Sequence, residues 1–333
     1  MSKKPRIFTP TESYKTHYPQ FVEFAEKQLG KFYWTQAEIE VDKDKQDFLI
    51  NLTDAERHAV STAAKLFVKY EIFIGEEFWK NRIAKMFPRP EIERMAAAFT
   101  MTELCVHAPF YDKVNVVLGL STDEFYTSYV DDPEMLSRVN FLNDLAQSDD
   151  DLLALAVFSM MEGAILFSSF ALFKSFQSNG HNMISNVGRG ISQSVLDENL
   201  HHEAGAALFK QAVKELKIKG EALELLENKI KVAANKLYEH EDLIIEKFHE
   251  KGNIRGISKK QFKIFVQGRI NHCLKNFGFS PMFILNEVDV VADWFQEKMI
   301  SGYVMNDFFF GIGREYQKSW NEKGFEWNVG EKA

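Results

Sequence analysis

The fold class this sequence predicts is all-α, a helical bundle, and three observations predict it. Apolar residues recur at helical spacing from end to end, and no alternating strand pattern persists beyond a few residues. Helix breakers are scarce, with 18 Gly and 8 Pro in 333 residues. Bulky apolar side chains abound, with 30 Phe and 45% hydrophobic content, enough for a dry and ordered core. One large bundle absorbs this length as a single domain over 1–302, followed by an irregular, aromatic-rich tail over 303–333. No linker composition and no fixed-period repeat divides the chain.

The elements follow in order. Tyr18 to Leu29 reads as a first amphipathic helix. Thr53-Asp54-Ala55-Glu56 has the form of a capping box and opens a long helix to Met86, where Pro88 and Pro90 break it. A second long helix runs from Glu91 to Leu118. A shorter one covers Pro133 to Ala146, and Asp149-Asp150 starts an apolar helix to Phe176. Asn179-Gly180 and the Gly188/Gly190 pair punctuate the next junction, before helices over Ile191–Leu216 and Gly220–Glu250. Ser258–Leu274 and Glu287–Met299 complete the helical part.

Charge and composition exclude several function classes. A net charge of −8 argues against a nucleic-acid-binding surface. Cys105 and Cys273 make no disulfide framework and fit a reducing cytoplasm. The N-terminal Met-Ser-Lys-Lys-Pro-Arg lacks the apolar core of a secretory signal. Leu152 to Phe173 is long and apolar enough to span a bilayer, but carries Glu162 at its centre. A charge there is costly in lipid and useful in a bundle, so the segment reads as a core helix and no membrane is expected.

Four of these helices carry acids or imidazoles where they otherwise face the core. The first long helix offers Glu71, the second Glu103 and His107, the apolar helix Glu162, and the fourth Glu198 and His201. Residues three or four apart share a helix face, so each Glu and His pair can converge on one ion. The order Glu, Glu-plus-His, Glu, Glu-plus-His is that of bundles holding two iron or manganese ions. Four buried carboxylates would repel without counter-charge, and two divalent ions cancel them. Oxygen-rich ligands with one imidazole per ion favour iron or manganese over zinc. One Glu-x-x-His is weak evidence alone: Glu246 and His249 repeat the spacing in charged surroundings that read as a solvated face. Six groups in the right order on four apolar helices are strong evidence. His202 and Glu203, beside the fourth pair, are expected to point elsewhere.

With these residues in view, the chain resembles the small, radical-generating subunit of class I ribonucleotide reductase, from about Phe21 to Trp327. His107-Ala108-Pro109-Phe110-Tyr111 is similar to that family's metal histidine followed four residues later by its radical tyrosine. Asp197-Glu198-Asn199-Leu200-His201 resembles its Asp-Glu-x-x-His segment, and Phe32-Tyr33-Trp34 its aromatic segment before the first ligand helix. The resemblance implies a ferritin-like bundle, a homodimer, and oxygen-dependent chemistry at two metals. Two Fe are expected, with Mn/Fe or two Mn as alternatives. It also implies a separate large subunit that reduces ribonucleotides. Carried over residue by residue, it makes Glu71, Glu103, His107, Glu162, Glu198 and His201 the ligands and Tyr111 the radical site. Asp197 and Trp34 become a relay from His107, and Tyr316 the carrier in a tail that docks on the large subunit. Phe110, Leu166 and Phe170 are expected to shield Tyr111.

Two departures stand out. Glu71 occupies a position where the family usually has Asp. The pair Glu103/His107 is spaced by four residues rather than three, with Leu104 at the expected position. A π-bulge that absorbs one residue is the device expected to bring Glu103 back to the site. Two other functions suit the same fold. A ligand-binding oxidase would need a tunnel, but not Trp34, Asp197 or Tyr316. A ferritin-like storage or structural bundle would have no use for Tyr111 or the aromatic tail.

Overall fold

The computed structural model describes residues 4–178 and 180–295, so Tyr316 and the tail over 303–333 lie outside the described residues. Among those described there is no strand, only an isolated bridge between Ile254 and Ile257. Helix α1 spans Pro19–Gly30. Helix α2 begins as Asp54–Phe73, widens into π turns over Ile74–Ile83 and closes with Ala84–Met86. Helix α3 runs Pro90–Thr102, passes a π turn at Glu103–His107 and continues over Ala108–Leu118. Helix α4 is Pro133–Ala146. Helix α5 joins Asp151–Met160, a π turn at Met161–Ile165 and Leu166–Ser175. Helices α6 (Ser185–Leu216), α7 (Glu221–Phe248) and α8 (Lys259–Phe277) follow.

Local chemistry fixes most of the starts. Thr53 Oγ1 accepts from the Glu56 amide while Glu56 accepts from the Thr53 amide, the reciprocal box expected from the sequence. Asp132 and Asp150 cap α4 and α5 through the Met135 and Leu153 amides. Pro90 sits in the first turn of α3, where its missing N–H costs nothing.

Helices α2 and α3 pack as one pair and α5 and α6 as another, with α1 laid across α3 and α6, and α8 against α5 and α6. Burying the apolar stripes of these helices against one another supplies most of the drive to fold. Helix α5 is long and apolar enough to cross a membrane by composition, yet 89% of its most apolar stretch is buried inside the bundle. It is therefore placed as a core helix.

Two local expectations are corrected. Helix α6 starts at Ser185, so Gly188 and Gly190 lie inside it rather than marking a junction. Asp44 accepts from the Asn186 and Val187 amides, and Asp47 from that of Ile184, so residues far back in the chain satisfy the helix start. The glycines serve close approach instead: a Cβ on Gly190 would lie 2.2 Å from the Phe110 ring. The second correction concerns His249, which is buried with Nδ1 against the Ile245 carbonyl, while Glu246 is half-exposed and paired with Lys259 and Lys263. The pair is no ligand set, but only its Glu faces solvent.

Candidate metal centre

Helices α2, α3, α5 and α6 bring Glu71, Glu103, His107, Glu162, Glu198 and His201 together at the bundle centre, all of them fully buried. The oxygens and imidazole nitrogens form two overlapping groups. Glu71, Glu103, His107 and Glu198 make one, and Glu103, Glu162, Glu198 and His201 the other, with ligand atoms within 4.8 Å of one another in each. Glu103 and Glu198 belong to both. Glu103 turns Oε2 to His107 Nδ1 at 3.1 Å and Oε1 to His201 Nδ1 at 2.6 Å. Glu198 likewise places Oε1 3.0 Å from His107 Nδ1 and Oε2 3.7 Å from His201 Nδ1. Glu71 Oε2 and Glu162 Oε2 complete the two ends, 3.5 and 3.0 Å from His107 and His201 Nδ1 respectively. This is the geometry of two end carboxylates and two carboxylates able to bridge.

The four-residue spacing of Glu103 and His107 is absorbed by the π turn at Glu103–His107, which places both side chains on the inner face. Leu104 does not enter either group.

The donor set fits a pair of cations. Both oxygens of Glu71 and of Glu198, one oxygen each of Glu103 and Glu162, and Nδ1 of His201 are buried without a well-aligned hydrogen bond, close though several of them lie to one another. Orphaned acceptors in a dry core are costly unless a cation meets them. Burial, then the charge of Glu103, pushes the carboxyls of Glu71 and Glu198 well above the usual range, and burial raises Glu162 despite the nearby His201. Burial would lower both histidines, but the surrounding carboxylates outweigh it and hold His107 and His201 well above the usual imidazole range. The protein alone thus partly neutralises four acids with two imidazoles, a task two divalent ions would perform in full.

A hydrogen-bonded chain leads away from His107. Its Nε2–H donates to Asp197 Oδ2 at 3.0 Å, and the same oxygen accepts from Trp34 Nε1 at 2.7 Å. Trp34 and Asp197 are both buried. Tyr111, one turn beyond His107, is buried, with the Ser194 hydroxyl beside its own but no well-aligned hydrogen bond between them. Burial, then the charge of Glu71, pushes its phenol well above the usual range. Its ring stacks on Phe67 at 4.1 Å and 3°, with Phe110 at 5.0 Å, and Phe67 stacks in turn on Phe170. Phe67 was not among the expected shielding residues, yet it covers the ring face directly.

The family model described as "Ribonucleotide reductase, small chain" matches residues 11–289. The chain belongs to that family. Among its relatives, the probable ribonucleoside-diphosphate reductase small subunit 048L of Invertebrate iridescent virus 3 is 24% identical over 86% of this chain and 79% of its own length. The corresponding protein 376L of Invertebrate iridescent virus 6 is 22% identical over 90% and 91%. In fold, the chain is similar to the dimanganese(II)-NrdF of Streptococcus sanguinis, with a TM-score of 0.73, 19% identity and coverage of 89% and 99%. It is also similar to a putative class I ribonucleotide reductase from Bacillus halodurans, with a TM-score of 0.75, 18% identity and coverage of 84% and 100%.

In this small chain, two residues around the cluster escaped the sequence reading. Gln28 of α1 donates Nε2 to Asp197 Oδ1 at 2.9 Å and accepts from His201 Nε2–H at 3.2 Å. It therefore turns the Nδ1 of His201 inward, as Asp197 does for His107. Trp79, in the π turns of α2, donates Nε1 to Glu162 Oε1 at 2.6 Å. Neither has a local sequence signal, because each partner lies far away in the chain.

Proposed function

We propose that this chain is the radical-generating small subunit of a class I ribonucleoside-diphosphate reductase. Glu71, Glu103, His107, Glu162, Glu198 and His201 hold two metal ions in it, and Tyr111 stores one oxidising equivalent. The observation that carries this reading is the unbroken contact from the ligand cluster through His107 and Asp197 to Trp34, with Tyr111 one turn away. A storage bundle has no use for it. Two iron ions are our assignment, and the same ligands suit Mn/Fe or two Mn.

The bound metals supply, with dioxygen, the power for a one-electron oxidation beside Tyr111. The protein's part is positional. Tyr111 is held as a neutral phenol in an apolar pocket, where Phe67, Phe110 and Phe170 exclude water from a side chain that must persist as a radical. Asp197 Oδ2 sits where it can take the indole proton as Trp34 loses an electron, and the His107 Nε2–H bond to the same oxygen keeps that carboxylate oriented. Tyr316 and the tail over 303–333 are proposed to carry the equivalent to a separate large subunit, which performs ribonucleotide reduction. A homodimer in a reducing cytoplasm is the proposed setting, and two free cysteines are compatible with it.

The test is electron paramagnetic resonance of the full chain after Fe(II) and then oxygen, with metal analysis of protein from its native host. A tyrosyl signal that disappears in Tyr111→Phe supports the reading. A metal-loaded chain that forms no radical, with iron or manganese, counts against it. Nucleotide reduction by this chain without a large subunit would sink the assignment. Trp34→Phe is expected to form the radical but not to turn over.

A further inference from the structure

Glu162 enters the cluster from the widened turn Met161–Ile165. A π turn interrupts the regular i→i−4 ladder, so backbone carbonyls around it need other donors. Two side chains from neighbouring helices supply them. Arg269 of α8 donates Nε to the Gly163 carbonyl at 2.8 Å. His202 of α6 has Nδ1 2.9 Å from the Ser159 carbonyl. Asn276 Nδ2 donates to His202 Nε2 at 3.0 Å, which makes Nε2 the acceptor and Nδ1–H the donor to Ser159.

Arg269 does more than fill a carbonyl. Its Nη2 donates to Asn199 Oδ1 at 2.9 Å. One planar guanidinium thus joins the residue after Glu162 to the residue after Glu198, on two different helices. Its plane also lies over the Phe167 ring, 3.7 Å from the centroid, which fixes it from the α5 side. The charge of Asp289 acts on it, but among the described residues no carboxylate comes close enough to form an ion pair with it. Even a partly buried cation without an ion-pair partner is costly to keep for packing alone. The turn itself is pressed close: a Cβ on Gly163 would lie 2.5 Å from the His202 ring and 2.7 Å from Cys273 Sγ.

We propose that Arg269 is a positioning residue of the centre: by tying the Gly163 carbonyl to Asn199 it fixes Glu162 relative to Glu198. It thereby sets the affinity of the Glu162/His201 half of the site for its ion. The inference rests on the reading of the cluster as a dinuclear metal centre. It assigns Arg269 no contact with a metal. Side chains that orient ligands in this way typically change metal affinity by about 10–100-fold when removed.

The experiment is Mn(II) binding to the full chain, followed by the loss of the free Mn(II) paramagnetic signal, with thermal melting alongside. The unsubstituted chain is expected to bind two equivalents; failure to do so overturns the metal-centre reading itself. Arg269→Met keeps the stem and removes both donors. It is expected to weaken one equivalent by about 10-fold or more and leave the other within about 2-fold. Arg269→Lys keeps the charge but reaches one acceptor, and Asn199→Ala removes one arm, so both should fall between. These two variants decide the matter if Arg269→Met does not fold. Two equivalents bound as tightly as in the unsubstituted chain, or both weakened equally in step with the melting temperature, overturn the proposal.

Discussion

Trp79 holds Glu162 by its indole N–H, at 2.6 Å, across the gap between α2 and α5. One oxygen of Glu162 is thereby anchored, and the other is turned towards His201 Nδ1. Trp79→Phe keeps an aromatic ring in the site but strips a buried carboxylate oxygen of its donor. Such a loss costs about 1–3 kcal/mol. The metal-free variant is expected to melt several degrees lower and to bind its second Mn(II) more weakly. An unchanged melting temperature would mean that Glu162 does not depend on Trp79.

Tyr111→Phe should behave in the opposite way. The Tyr111 hydroxyl is buried beside the Ser194 hydroxyl but without a well-aligned hydrogen bond, while the ring keeps its stacking on Phe67. Removing an unsatisfied polar group and retaining the ring is close to neutral or stabilising. Calorimetry should show a melting temperature equal to or above that of the unsubstituted chain, with metal content unchanged and only the radical signal gone. A loss of more than about 1 kcal/mol would show that the contact with Ser194 is a stabilising hydrogen bond.

Much of this was legible in the sequence because it is written locally. The Thr53/Glu56 box, Asp132 and Asp150 mark helix starts through contacts three residues long, and Pro90 does so by its place in the first turn. The ligand helices show themselves because a Glu or His on an apolar stripe is conspicuous, and the odd spacing of Glu103 and His107 signals a wider turn. Trp79 was hidden for the same physical reason in reverse. A wheel of about 100° per residue assumes a regular helix, and the π turns over Ile74–Ile83 change the phase between Glu71 and Trp79. Gly188 and Gly190 misled because glycine marks both turns and close helix contacts, and only the position of Phe110 and Gln177 tells which.

Ligand removal should separate bridging from terminal acids. Glu103 and Glu198 belong to both ligand groups, whereas Glu71 belongs to one. A metal bound only by the folded chain stabilises it by about 2.7 kcal/mol per site at one hundred times its dissociation constant. Adding Mn(II) to chelator-treated protein is therefore expected to raise its melting temperature by several degrees. Glu71→Ala should keep about half of that rise and bind one equivalent. Glu198→Ala should lose nearly all of it. Equal effects of the two substitutions would contradict the bridging geometry.

The pH dependence of stability offers a test away from the centre. Burial alone would raise the Glu56 carboxyl, but Arg255, with Nε 2.5 Å away, and the amides of Thr53 and Arg255 hold it down to about 2. A carboxyl lowered on folding contributes stability that is present above its usual value, about 4.5, and lost as pH falls through about 2. Glu56 is buried while the Arg255 side chain is 35% exposed, so solvent screens part of the attraction. About 2 kcal/mol is then a fair size for the effect at neutral pH. Glu56→Gln keeps an acceptor for the capping box and removes only the charge. Denaturant unfolding should show the variant less stable than the unsubstituted chain by that amount at pH 7. The gap should narrow as the pH is lowered from about 4.5 towards 2, because the native carboxylate is then neutralised as well. A gap of constant size across that range would assign the cost to the side-chain geometry of Gln rather than to the lost charge.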